Sequence, residues 1–148
     1  MSLSFRNTIT PTLHWNARAI ANKRPILEAM GMEFVSLTKR AFTDATLRPA
    51  PWAPLKPATL KHKKGTILRE SGALFHSIAI SELTDIAVTV SSDRPYAAIQ
   101  QLGGKAGRNH AVTIPPRPFF PILEGKLTPH ARERIEAIAR AKIKSLTK

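Results

Sequence analysis

Leu27, Met30, Phe34, Leu37 and Ala41 recur at alternating steps of three and four. That spacing lays one apolar stripe along a helix over residues 25–43. Pro25 suits its first turn, where the missing N–H costs nothing. Glu28 and Glu33 sit toward its start and Lys39 and Arg40 toward its end, as the helix dipole prefers. Gly31 is a weak spot in the helix unless a neighbour approaches closely there. A second stripe, Ala131, Ile135, Ile138, Ala139, Ile143 and Leu146, follows the cap and first-turn pair Thr128-Pro129. On the opposite side of that helix Glu136 and Arg140 are spaced for a surface pair.

Between the helices the period changes to two. Ile78 and Ile80, then Ile86, Val88 and Val90, alternate with other residues around the turn-forming Leu83-Thr84-Asp85. This predicts a β-hairpin over residues 77–91. Residues 111–114 alternate in the same way, are stopped by Pro115-Pro116, and are expected to join the same sheet. Leu3, Phe5 and Ile9 suggest a short N-terminal strand, and Thr12 a helical turn reaching Ile20. Further short helical turns are expected at 58–64 and 68–75. Another is expected from Tyr96 to Leu102, with Tyr96, Ile99 and Leu102 on one side and Gly103-Gly104 as its stop. The sum is an α+β fold over 1–148, read as one domain. A long helix in the N-terminal half and a C-terminal helix pack on a small antiparallel sheet containing a hairpin.

Two stretches resist regular structure. Residues 48–57 hold Pro49, Pro51, Pro54 and Pro57, which rules out helix or central strand. Trp52 and Leu55 are expected to pin this loop to the body. Residues 103–110 form a Gly-rich basic loop. Arg117 then lies between prolines beside Phe119 and Phe120. In an extended segment adjacent side chains face opposite ways. One phenylalanine would then point outward as an anchor for a partner; the alternative is that both are core. Arg117 either pairs with an acidic group on a neighbouring subunit or closes a loop within its own chain. Trp52, Arg117, Phe119 and Phe120 are therefore the candidates for a subunit or partner interface.

Charge changes the picture more than size does. The 148 residues carry 23 Lys and Arg against 10 Asp and Glu, a formal +13. Such an excess draws a protein to nucleic acid, an anionic surface or an acidic partner. Residues 45–69 contain no acid but hold Arg48, Lys56, Lys61, Lys63, Lys64 and Arg69. Residues 94–123 contain none either, against Arg94, Lys105, Arg108 and Arg117. Lys61, Lys63 and Lys64 read equally well as a nucleic-acid patch and as a solvated face. Lys105 and Arg108 have no aromatic neighbour to stack a base, so contacts from them would go to phosphate or acidic side chains without sequence readout.

Enzyme chemistry finds no foothold in the pattern. His14, His62, His76, His110 and His130 stand in no metal-ligand spacing and near no carboxylate pair. Ser71-Gly72 lacks the nucleophile-elbow pattern and reads as a cap or turn. Gly103-Gly104-Lys105 lacks the phosphate-loop spacing. With no cysteine, disulfides and thiolate metal sites are excluded. No cofactor and no metal are expected. No run approaches a membrane span, and the N-terminal Met-Ser-Leu-Ser-Phe-Arg lacks the apolar core of a signal peptide.

Three ordered blocks carry a family resemblance. Tyr96-Ala-Ala-Ile99-Gln100-Gln101-Leu-Gly103-Gly104 followed by Ile114-Pro-Pro-Arg117-Pro-Phe119 is similar to the phage virion morphogenesis family, the tail-completion and head–tail joining proteins of Mu-like and related tailed phages. Trp52-Ala-Pro-Leu55 with Thr59 and Lys61, and Leu68-Arg-Glu-Ser71-Gly72-Ala-Leu74 with Ser77-Ile78, resemble two further blocks of that family. Gln100 departs from it, standing where the family is expected to carry histidine.

The resemblance implies a non-enzymatic structural protein of the tail terminus or neck, assembled in the host cytoplasm. It would complete the tail and join it to the DNA-filled head. A homo-oligomeric ring is implied, with a hexamer as the expected form. Its partners would be copies of itself and the adjoining tail-tube or connector proteins, with nonspecific contact to packaged DNA. Lys61, Lys63, Lys64, Lys105 and Arg108 would face the lumen or the partner. The alternative reading is a free basic nucleic-acid-binding protein.

Overall fold

A computed structural model describes residues 22–146 and, for backbone pairing alone, 3–6. The expected Ile9 position and the turn from Thr12 to Ile20 lie outside the described residues. Strand β1 (Leu3–Arg6) pairs antiparallel with β3 (Val88–Ser92), Phe5 opposite Val90. Strand β2 (Ala79–Leu83) pairs with the other edge of β3, with a bulge between Ile80 and Glu82. The sheet order is therefore β1-β3-β2. The expected hairpin is β2–β3, and the expected N-terminal strand lies on its far side.

Helix α1 (Arg24–Arg40) packs on β2, β3 and the C-terminal helix α5 (Pro129–Leu146). This is the α+β arrangement that the two apolar stripes require. On α1 the buried positions are Ile26, Met30, Phe34 and Leu37, continued by Ala41 beyond the helix end. Leu27 is only half-buried, so the stripe begins one residue earlier than its leucine suggests. The helix stops at Arg40, short of the expected residue 43; Thr43 and Asp44 fold back in turns onto the Arg40 carbonyl. Gly31 lies where α1 meets the sheet. A Cβ there would stand 2.6 Å from Val88 Cγ2 and 2.9 Å from Ile80 Cδ1.

On α5 Ala131, Ile135 and Ala139 are buried against the core. Thr128 caps the helix: its Oγ1 accepts from Ala131 N–H at 3.4 Å. Arg134 Nε donates to Glu33 Oε1 at 3.1 Å, tying α5 to α1. Arg140 and Glu136 pair at 3.3 Å as their spacing suggests; such exposed pairs contribute about 0.5 kcal/mol each.

The short helices are α2 (Pro57–Leu60), α3 (Ala73–Ser77) and α4 (Ala97–Leu102). Each lies within or overlaps an expected turn. Two small ribbons complete the chain: β4 (Gly104–Ala106) with β5 (Val112–Ile114), and β6 (Ile122–Leu123) with β7 (Lys126–Leu127). The strand at Val112 thus does not join the main sheet. It pairs instead with β4, Lys105 opposite Thr113, so residues 103–110 are half of a basic β-ribbon and not a free loop. The partner was hard to foresee because Gly104–Ala106 has no apolar alternation of its own.

Candidate functional site

The four prolines between residues 115 and 121 leave only three backbone N–H groups in that segment, those of Arg117, Phe119 and Phe120. All three find partners on two consecutive residues of α4. Arg117 N–H donates to the Gln100 carbonyl at 2.7 Å. Phe119 and Phe120 N–H both donate to Gln101 Oε1, at 2.9 and 3.0 Å. In an extended strand successive N–H groups point to opposite sides. Here they converge on one oxygen, so the chain is bent and both rings turn the same way. The rings lie 4.8 Å apart, and each side chain is 0% exposed.

That bend corrects the expectation of an outward phenylalanine. Phe120 stacks on Phe34 of α1 at 5.7 Å, and Phe119 lies 5.6 Å from Phe42. Trp52 is inward as well. Its ring meets Phe42 edge-on at 5.9 Å, and its Nε1–H donates to the Pro118 carbonyl at 2.7 Å. Arg117 is 8% exposed. Its Nε donates to the Ala53 carbonyl at 2.9 Å and its Nη2 to the Pro54 carbonyl at 3.2 Å. Within its own chain Arg117 thus closes a loop. None of the four interface candidates offers its side chain as an exposed anchor. Together they lock the proline-rich loop to the 115–121 segment, as Trp52 was expected to do.

Sequence reasoning passed over two members of this lock. Gln101 is the glutamine of the Tyr96–Gly104 block, and its burial is the reverse of a simple apolar-face reading. Gln101 is buried while Leu102 is 69% exposed and Tyr96 41% exposed. The signal available was the run of prolines, whose neighbours need an acceptor from elsewhere. Arg48, counted only as a charge, lies 3.7 Å over the Trp52 ring. It donates from Nε to the Ala41 carbonyl at 2.7 Å and from Nη2 to the Phe42 carbonyl at 3.2 Å, just past the end of α1. Burial lowers its pKa below the ordinary arginine value, and nearby Asp44 partly opposes that shift.

The basic candidates lie on separate elements. Lys61 and Lys64 are exposed after α2, and Lys63 between them is half-buried. Lys105 on β4 and Arg108 at the ribbon tip are exposed. Among the described residues none of these five cations takes part in an ion pair. The ribbon tip is a tight structure, with Gly107, Asn109 and His110 all at positive φ. Exposed Leu102 and Val112 lie on the elements that lead into it. A cleft of about 270 Å³ opens beside the lock, lined in part by Lys63, Tyr96, Gln100 and Arg117.

Ser71 makes a turn, its Oγ accepting from Ala73 N–H at 3.3 Å. Among the described residues no three His, Asp or Glu side chains gather as a metal site. Nor is any described helix long and apolar enough to cross a membrane.

The lock is built from the residues that carried the family resemblance: Trp52, Gln101, Arg117 and Phe119. The model of the phage virion morphogenesis family matches residues 6–144, and the chain belongs to that family. It is 38% identical to Mu-like prophage FluMu G protein 2 of Haemophilus influenzae over 112 residues, which cover 76% of this chain and 75% of that protein. No solved structure gives a significant match. The chain is thus a phage structural protein with a role in virion morphogenesis.

Proposed function

We propose that this protein acts without catalysis at the tail terminus or neck, completing the tail and joining it to the DNA-filled head as a ring of identical subunits. Membership of the virion morphogenesis family is the observation that carries this reading. The fold supports it in two ways. The motif residues are spent on holding a rigid body together, which is what a structural subunit needs. Among the described residues the charged side chains of Lys61, Lys64, Lys105 and Arg108 at the surface take part in no ion pair. A ring places such side chains against DNA in its lumen or against an acidic face of the next ring, where phosphate or carboxylate neutralises them.

The test is the position of the protein in a purified particle, read by cryo-electron microscopy, with a deletion strain alongside. Density at the head–tail junction, with filled heads and separate tails accumulating in the deletion strain, is the expected result. The net charge of +13 supports a second reading, a free nucleic-acid-binding protein. Absence from the particle, with tight duplex binding that weakens steeply with salt, would favour it.

A further inference from the structure

The cleft beside the lock has a charge that its own walls do not balance. Arg117 lines it, yet that buried guanidinium is held by two neutral carbonyls, and no ion pair reaches it from the described residues. Lys63 adds a second cation to the lining. Glu70 lies there too but is exposed and pairs with neither. The cleft is therefore complementary to a group that brings a carboxylate.

The chain carries such a group. Strands β6 and β7 are joined by Glu124 and Gly125 alone, at φ 51° and 74°. Glycine, asparagine and aspartate are the relaxed occupants of such a turn. Glutamate there costs about 1–2 kcal/mol, and backbone strain of this kind gathers where a side chain is needed for contact. Glu124 is exposed and forms no ion pair among the described residues, and Leu123 beside it is 52% exposed. The other acids that form no ion pair among the described residues are differently placed. Glu28 and Glu133 lie on helices, Glu82 on β2, Asp44 is engaged with Thr46, and Glu70 is in the cleft itself.

We propose that the Glu124 turn of one copy seats in the Arg117 cleft of the next. The carboxylate pairs with Arg117 and Lys63, and Leu123 covers Leu55 and Tyr96. Two different patches make a head-to-tail contact, which repeats until it closes. This inference rests on the ring reading above and names the contact that would build the ring.

The native chain has no cysteine, so paired cysteines report the contact cleanly. Ser71→Cys in the cleft wall and Leu123→Cys beside the plug, both at exposed positions, are combined in one chain and oxidised mildly. The protein is taken both purified and from particle-producing cells. A covalent ladder with a fixed top rung is expected. Glu124→Lys should lower its yield about tenfold or more, and adding Lys63→Glu should restore it. A ladder without a top rung would keep the contact and overturn the closed ring. No ladder, with the unmodified protein still assembling, would overturn the contact and leave the ring. No ladder and no assembly in either preparation would overturn both.

Discussion

Trp52 and Pro118 are 66 residues apart in sequence and joined by one hydrogen bond of 2.7 Å, indole N–H to carbonyl. The bond closes the proline-rich loop onto the segment that carries both buried phenylalanines. Trp52→Phe keeps an aromatic ring against Phe42 but strands the Pro118 carbonyl. Denaturant unfolding should show a loss of about 2 kcal/mol, the cost of an unsatisfied buried acceptor plus a small void.

Gln101 holds two buried N–H groups with one oxygen. Replacing it with methionine keeps the volume and orphans both donors. At about 1–3 kcal/mol per stranded group, Gln101→Met should destabilise the protein by about 3 kcal/mol. Gln101→Glu, which still offers oxygens, should retain more of the folded signal in the same unfolding experiment.

Gly31→Ala sets two effects against each other. Alanine favours a helix by about 1 kcal/mol over glycine. The new Cβ would meet Val88 Cγ2 at 2.6 Å, and Val88 is stiff, buried and on the central strand. Overpacking of this kind costs about 1–3 kcal/mol. The clash should win, lowering the thermal midpoint by several degrees, whereas Met32→Ala at an exposed site of the same helix should change it little.

Lys105 and Arg108 serve no ion pair within the described residues, so reversing both charges leaves the fold intact. Lys105→Glu with Arg108→Glu should keep the wild-type melting profile and reduce virion yield, with unjoined heads and tails visible by negative stain. Unchanged yield would remove the ribbon from the joining surface.

The elements that sequence made legible are those whose apolar period repeats several times. The stripes of α1 and α5 and the alternation of β2 and β3 each offer enough positions to fix a face. Shorter elements offered too few. Ala111–Ile114 alternates, but four residues do not say which strand they meet, and β4 opposite them is Gly-Lys-Ala. The lock was half legible: Trp52 pinning the loop follows from its size and the prolines around it. Both phenylalanines turning inward does not, because the bend is imposed by Gln101 from another element. The cleft's unbalanced positive charge and the strained Glu124 become visible only when backbone angles and partners are known.

The stretch from residue 115 to 121 has spent every N–H it owns on α4. It therefore presents no donor ladder to another chain, and its prolines forbid one from forming. The segment therefore cannot serve as the edge from which a cross-β aggregate grows.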